Sequence, residues 1–264
     1  IDLAFNRIFK FHKKKKLNSF KIKDSYNNQL SYISSPIEKI GVYVPGGTAS
    51  YPSTVLMNCI PALIAGVKEI YMTTPSNPKN YNPAILYAAK KCGVKEIYKI
   101  GGAQAIAALA YGTKKVKKVN KIVGPGNTYV ALAKKEVFGN VGIDMIAGPS
   151  EVTIVADKTA KISWVASDLI AQAEHDYLSQ SILVTNEKKI IFDVNIFLKK
   201  QINLLKKKEI DLKSLKKFGL AIFTKNKKIL RKIVNTIAPE HLQICTKNPN
   251  KILKNITNAG SIFI

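Results

Sequence analysis

The sequence predicts an α/β protein of two Rossmann-like units, each a mainly parallel sheet flanked by helices. Three observations predict it. From Ile40 onward, short β-branched runs alternate with helix-length amphipathic stretches. The turns between them are rich in glycine and proline, as at Pro45-Gly46-Gly47 and Gly124-Pro125-Gly126. The alternation also runs twice, with Gly148-Pro149-Ser150 between the two series. Strands joined through helices are parallel, because the crossover returns the chain to the edge it left.

The first 38 residues are polar, with Lys13 to Lys16 and Asn27-Asn28. They are expected to form the end of a helix and then an extended or irregular segment. Ile40 to Val44 is a buried strand stopped by Pro45-Gly46-Gly47. A helix follows from Ser53 to Ala65, with Pro52 suited to its entry. The first series continues with a strand over Lys68 to Thr73, a helix over Pro83 to Lys91 and a strand over Glu96 to Ile100. Gly102 to Tyr111 is a small-residue helix able to approach a sheet closely, Lys121 to Val123 a strand and Thr128 to Val137 a helix. In the second series the strands are Val152 to Ala156, Ser181 to Thr185, Gly219 to Thr224, His241 to Cys245 and Ser261 to Ile264. Helices cover roughly 161–173, 188–205, 227–236 and 249–257 between them. The expected division is 41–149 for the first unit, and 1–40 with 150–264 for the second. Ligands of such sheets lie at the carboxyl ends of the strands, where the turns after Val44, Ile100 and Val123 fall.

Composition excludes several classes. A chain of 264 residues with 46% hydrophobic content can bury a substantial core. No apolar run approaches the roughly 18 residues of a membrane span, and Ile1-Asp2-Leu3 opens no signal-peptide pattern. Cys59, Cys92 and Cys245 are odd in number and widely spaced in apolar stretches, which suits buried thiols in a reducing, cytoplasmic compartment. The net charge of +25 invites a nucleic-acid reading. Yet all but Arg7 and Arg231 of the 42 basic residues are lysine, and they are dispersed. Arginine is the residue that reads phosphates and bases bidentately, so its near absence speaks against nucleic acid. Lysine, asparagine and isoleucine share AT-rich codons, and their joint abundance points to drift of the surface under base composition.

Two of the three histidines directly follow glutamate, as Glu174-His175 and Glu240-His241. Histidine exchanges protons near neutral pH, and a neighbouring carboxylate can act as base or orient the ring. Gln172 and His175 stand at i and i+3 on one side of a helix and could supply two zinc ligands, or His175 could simply favour the negative helix end. Ala238-Pro239-Glu240-His241-Leu242, at a strand entrance, could hold a general acid and base or be a surface turn. Gly101-Gly102-Ala103-Gln104 and Gly124-Pro125-Gly126-Asn127 could receive a phosphate at a helix N-terminus or be tight structural turns. Neither is a full dinucleotide fingerprint.

Together these segments resemble the histidinol dehydrogenase family. The resemblance lies in Gly41-Val42-Tyr43-Val44-Pro45-Gly46-Gly47, Ile100 to Leu109 and Val123-Gly124-Pro125-Gly126-Asn127. It continues in Ala147-Gly148-Pro149-Ser150-Glu151-Val152, Ala166 to His175, Pro239-Glu240-His241-Leu242 and Ala259 to Phe263. The resemblance implies oxidation of L-histidinol to L-histidine through histidinaldehyde, with two NAD-dependent hydride transfers, as the last step of histidine biosynthesis. It implies Glu240 and His241 as the acid/base pair, His241 taking the alcohol proton and Glu240 activating water. It also implies Gln172 and His175 as zinc ligands that, with Ser150 and His241, meet the substrate. Tyr43, Gln104 and Asn127 match NAD-contacting positions. The family's homodimer follows from the same likeness, while composition points to no nucleic-acid or membrane partner.

The family's other two zinc ligands, an aspartate and a second histidine, lie beyond the Ala-Gly-Ser segment, and Ile264 precedes both. The chain is therefore expected to be an internal fragment of a longer enzyme, with little or no activity alone. The alternatives are a related NAD-dependent alcohol or aldehyde dehydrogenase, or a basic nucleic-acid-binding derivative of the fold. Retention of Gln172, His175 and His241 favours the imidazole-bearing substrate.

Overall fold

The chain divides after Gly148 into two units, Ile1–Gly148 and Pro149–Ile264. The structure, a computed structural model, describes residues 1–46, 51–75, 82–146, 148, 150–205 and 208–264. In the first unit α1 (Asp2–Lys13) is followed by β1 (Phe20–Lys23) and β2 (Gln29–Tyr32), an antiparallel hairpin. Then come β3 (Lys39–Tyr43), α2 (Pro52–Ala65), β4 (Glu69–Thr73), α3 (Pro83–Lys91) and β5 (Glu96–Tyr98). The unit closes with α4 (Gly102–Tyr111), β6 (Lys121–Val123), α5 (Thr128–Val137) and β7 (Gly142–Ile143).

Strands β3 to β7 form one parallel sheet in the order β5-β4-β3-β6-β7. The chain thus winds outward from β3 in one direction and then returns to wind outward in the other. Helices α2 and α3 cover one face, where Val42, Val55, Cys59, Ile60 and Met72 pack. Helices α4 and α5 cover the other, with Tyr43, Ile106, Leu109, Ile122 and Val130. Gly41 of β3 allows α4 a close approach: a Cβ there would stand 2.8 Å from Leu109.

The second unit contains β8 (Glu151–Ala156), α6 (Ile162–Ala173), β9 (Gln180–Thr185), α7 (Lys188–Ile202) and α8 (Lys208–Phe218). It ends with β10 (Leu220–Phe223), α9 (Lys227–Ile237), β11 (His241–Cys245), α10 (Pro249–Leu253) and β12 (Ser261–Phe263). Its sheet is again parallel, in the order β10-β9-β8-β11-β12. Residues of α6 and α7 pack on one face and those of α9 and α10 on the other. The expected α/β class of two helix-flanked parallel sheets is therefore borne out. Among the described residues no helix is long and apolar enough to cross a membrane.

Several elements differ from expectation. The N-terminal segment was grouped with the second series, but Phe5, Ile8 and Phe9 of α1 pack against the first core. The expected extended or irregular segment contains the hairpin β1–β2; Asp24 closes its turn by accepting the Tyr26 and Asn28 amides, with Asn27 at φ 65°. α8 was not anticipated, because its lysine-rich sequence offers few apolar positions, although Asp211 and Ser214 are buried on it. Burial holds the Asp211 carboxyl above the ordinary carboxylate range, with the charge of Glu174 adding to the effect. Cys59 and Cys92 are buried as expected, whereas Cys245 is only partly so.

Ala238 ends α9 in the left-handed region at φ 49°, a conformation that L side chains adopt at a cost. It is exposed, so removing its methyl forfeits little packing. Ala238→Gly is expected to stabilise the protein by roughly 0.5–1 kcal/mol, after the entropy of the added glycine is counted. A chemical-denaturation midpoint that falls in the variant would contradict this.

Candidate functional site

In the first unit the candidate residues gather at the carboxyl edge, where β3 and β6 lie side by side and the helices that follow them, α2 and α5, cover opposite faces. Such a switch point leaves a crevice above the strand ends. Tyr43, the last residue of β3, is 4% exposed. Its Oη accepts a hydrogen bond from the Gly102 amide at the start of α4 (3.0 Å), which leaves its own O–H to donate. Gln104 stands exposed in the first turn of α4. Asn127 caps α5, its Oδ1 accepting from the Val130 amide (3.1 Å), so its NH2 group retains both donors. Two helix N-termini and three side chains with donors therefore converge at this edge, a combination suited to a phosphate-bearing ligand. Gly47 of the first turn lies outside the described residues.

The Gly124-to-Asn127 turn is held by a group that sequence reasoning missed. Lys134 of α5 is only 3% exposed. Its Nζ donates to the Gly124 carbonyl (2.9 Å) and forms an ion pair with Asp144, whose other oxygen accepts the Gly124 amide (2.7 Å). Both main-chain polar groups of Gly124, in successive peptide units, are thus fixed by an ion pair whose lysine is buried. In sequence, Lys134-Lys135 looks like any surface lysine pair.

In the second unit the candidate residues gather at the opposite, amino edge of the sheet. Ser150 precedes β8, and its carbonyl accepts from the Gln180 amide opening β9 (3.1 Å). His241 opens β11 and lies in register with Val152 on one side and Ser261 on the other. Neighbouring strands are about 4.8 Å apart, so Ser150, Glu240 and His241 fall within a few ångströms along one rim. The Glu240 and His241 side chains are 41% and 38% exposed, and Glu240 Oε2 lies 3.9 Å from His241 Nδ1. The Glu240 amide donates to Glu151 Oε1 (3.1 Å), and His241 Nδ1 lies 3.3 Å from the Glu151 carbonyl oxygen. Asp168 of α6 accepts from Gln243 Nε2 (2.6 Å) and ties that helix to β11.

Gln172 sits in the last turn of α6, which runs back to the amino edge. His175 lies in the turn just beyond, not on the helix itself, because the helix ends at Ala173. Its amide still reaches the Gln172 carbonyl (3.3 Å), and its side chain is exposed. Gln172 is 9% exposed and its Nε2 is buried without a hydrogen-bond partner among the described residues. The orphaned Nε2 is a donor and binds no cation, so the fit to a metal is partial: only the amide oxygen of Gln172 and the open imidazole of His175 could serve, half of a tetrahedral zinc set. Among the described residues no group of three or more His, Cys, Asp or Glu could complete it. No hydrogen bond or ion pair among them joins Gln172 or His175 to Glu240 or His241 either. Ala147 and Pro149, beside Ser150, lie outside the described residues.

Two helix-flanked parallel sheets, one bearing glycine-rich turns and the other a Glu-His pair at its rim, define a two-unit α/β protein of the Rossmann-like kind. The chain belongs to the histidinol dehydrogenase family, whose model matches residues 1–264. It is similar to the histidinol dehydrogenase of Pelagibacter ubique, 56% identical over 265 residues covering 100% of this chain and 62% of that protein. The histidinol dehydrogenase of Lactococcus lactis is 51% identical over 260 residues, 98% of this chain and 60% of that one. A crystal structure of histidinol dehydrogenase from Elizabethkingia anophelis matches with a TM-score of 0.94 at 42% identity, covering 100% of this chain and 61% of that one. The resemblance carried by the motifs is thus borne out at the level of the family. The chain spans about three fifths of the length of these relatives.

Proposed function

We propose that the protein carrying this sequence oxidises L-histidinol to L-histidine through histidinaldehyde, as a cytoplasmic, homodimeric enzyme of histidine biosynthesis. The observation that carries this reading is the half-exposed Glu240–His241 pair, fixed at the rim that Ser150 shares. His241 takes the alcohol proton in the first oxidation. The Glu240 carboxylate then takes a proton from the water that adds to the aldehyde carbonyl, so that the hydrate can be oxidised in turn. Ser150 offers a hydroxyl to the substrate.

Tyr43, Gln104 and Asn127 would hold NAD, with the helix N-termini favouring its phosphates. NAD supplies the two-electron acceptor for each oxidation. Gln172 and His175 would hold two positions of a zinc ion, which supplies a template for the substrate's imidazole and amine. An alcohol or aldehyde dehydrogenase of other specificity would have no use for these two residues together with His241. A nucleic-acid-binding role finds no support in scattered lysine.

The test is stoichiometric. The whole protein that carries this sequence, loaded with zinc, should reduce two NAD per histidinol consumed and release histidine, whereas residues 1–264 alone should show little or no turnover. One NAD per histidinol, or equal turnover of a simple aliphatic alcohol, would sink the proposal.

A further inference from the structure

We propose that Glu151 is a positioning residue for the proton-handling pair, and that it sets His241 in the Nδ1–H tautomer so that Nε2 is the atom that receives the substrate proton. This rests on the acid/base reading of Glu240 and His241 given above. Both halves of Glu151 are engaged. Its side chain reaches 89 residues along the chain to accept the Glu240 amide at 3.1 Å. Its backbone carbonyl oxygen lies 3.3 Å from His241 Nδ1.

The tautomer follows from what surrounds Nδ1. A carbonyl oxygen and, at 3.9 Å, the Glu240 carboxylate both face that nitrogen, and both are acceptors. A neutral ring with its proton on Nε2 would turn a lone pair towards two sets of lone pairs. With the proton on Nδ1, the ring donates to the carbonyl and gains from the nearby carboxylate. The second nitrogen's state is set by the bond the first one makes. Nε2 then carries the lone pair, and the cation formed by accepting a proton there keeps every contact of the neutral form. The ring also leans on Phe263, with centroids 5.9 Å apart, which limits its swing.

The main chain beneath the pair is held from the other side as well. The Ser261 amide donates to the Glu240 carbonyl (2.8 Å) and the Gly260 amide to the Pro239 carbonyl (2.9 Å). A side chain at Gly260 would stand 2.7 Å from the Glu240 oxygen, so β12 approaches only because that residue is glycine. Glu240 is thus clamped at its amide by β8 and at its carbonyl by β12. Of these holds only the Glu151 carboxylate is a removable side-chain group, which makes it the point to test.

Two measurements suffice. The first is 15N NMR of the histidine-labelled protein, with the His241 signals assigned by their loss in His241→Asn. The expected result is the shift pattern of a protonated Nδ1 and an unprotonated Nε2 in the neutral ring; the opposite pattern overturns the tautomer assignment whether or not the protein is active. The second is a pair of variants in the zinc-loaded protein. Glu151→Ala should lower kcat by about 100-fold, the scale of a misplaced reacting group, with little change in KM for NAD. Glu151→Gln should restore most of that rate, because an amide oxygen accepts the same Glu240 amide. Equal loss in both variants, or no loss in either, overturns the positioning role. Full activity in His241→Asn would instead strike the acid/base reading, and the NMR result would stand apart from it.

Discussion

Gly124→Ala is expected to destabilise the first unit by roughly 3 kcal/mol or more and to abolish measurable NAD binding. Two costs combine at this position. Gly124 has φ +115°, where a side chain is strained, and a Cβ there would overlap the carbonyl oxygen of Tyr43. The obstacle is backbone at the end of the central strand, so no rotamer change relieves it. The peptide cannot move away either, since Asp144 holds its amide and buried Lys134 its carbonyl. Gly139 provides the control: its φ is +101°, but nothing lies within 4 Å of a Cβ there. Gly139→Ala should therefore cost only the conformational part, about 1 kcal/mol. The two denaturation midpoints separate clash from strain. If Gly124→Ala proves no worse than Gly139→Ala, close approach is not what keeps residue 124 a glycine. The effect on NAD follows from the neighbours, because a displaced Tyr43 loses the Gly102 amide and shifts the α4 N-terminus with it.

The strands of both sheets were legible because parallel strands buried on both faces are short apolar runs bounded by glycine and proline, as at Ile40 to Val44 and Val152 to Ala156. The edge at which the candidate residues stand was less legible. Tyr43, Gln104 and Asn127 stand at the carboxyl edge, where ligands of such sheets were expected, yet in the second unit Glu240, His241 and Ser150 stand at strand beginnings. Position along a strand is visible in the sequence, but which strand beginnings adjoin depends on the order β9-β8-β11-β12. Glu151 shows the same limit: it sits beside Ser150 in sequence, while its partner is 89 residues away. Lys134 and α8 were obscured by composition. In a chain this rich in lysine, a lysine buried to 3% exposure carries no local mark, and a lysine-dense helix resembles a loop.

Glu240→Gln and His241→Asn should fail at different steps if the pair divides its labour as proposed. Asparagine keeps a donor near the Glu151 carbonyl but has no nitrogen able to take a proton at the Nε2 position. His241→Asn should therefore slow histidinol oxidation by about 10³-fold, within the range of a lost general base, while oxidation of supplied histidinaldehyde falls much less. Glutamine in place of Glu240 preserves the main-chain bonds to Glu151 and Ser261 but cannot accept a proton from water. Glu240→Gln should leave the first oxidation largely intact and block the second, so that NAD reduced per histidinol drops from two towards one and aldehyde accumulates. The geometry permits such a division because the Glu240 carboxylate lies on the Nδ1 side of the ring, 3.9 Å away, and so does not compete for Nε2. Equal losses on alcohol and aldehyde in both variants would mean that the two residues act as one relay. In that case the proton taken by His241 passes through Nδ1 to Glu240, and the Glu151 carbonyl merely borders the path.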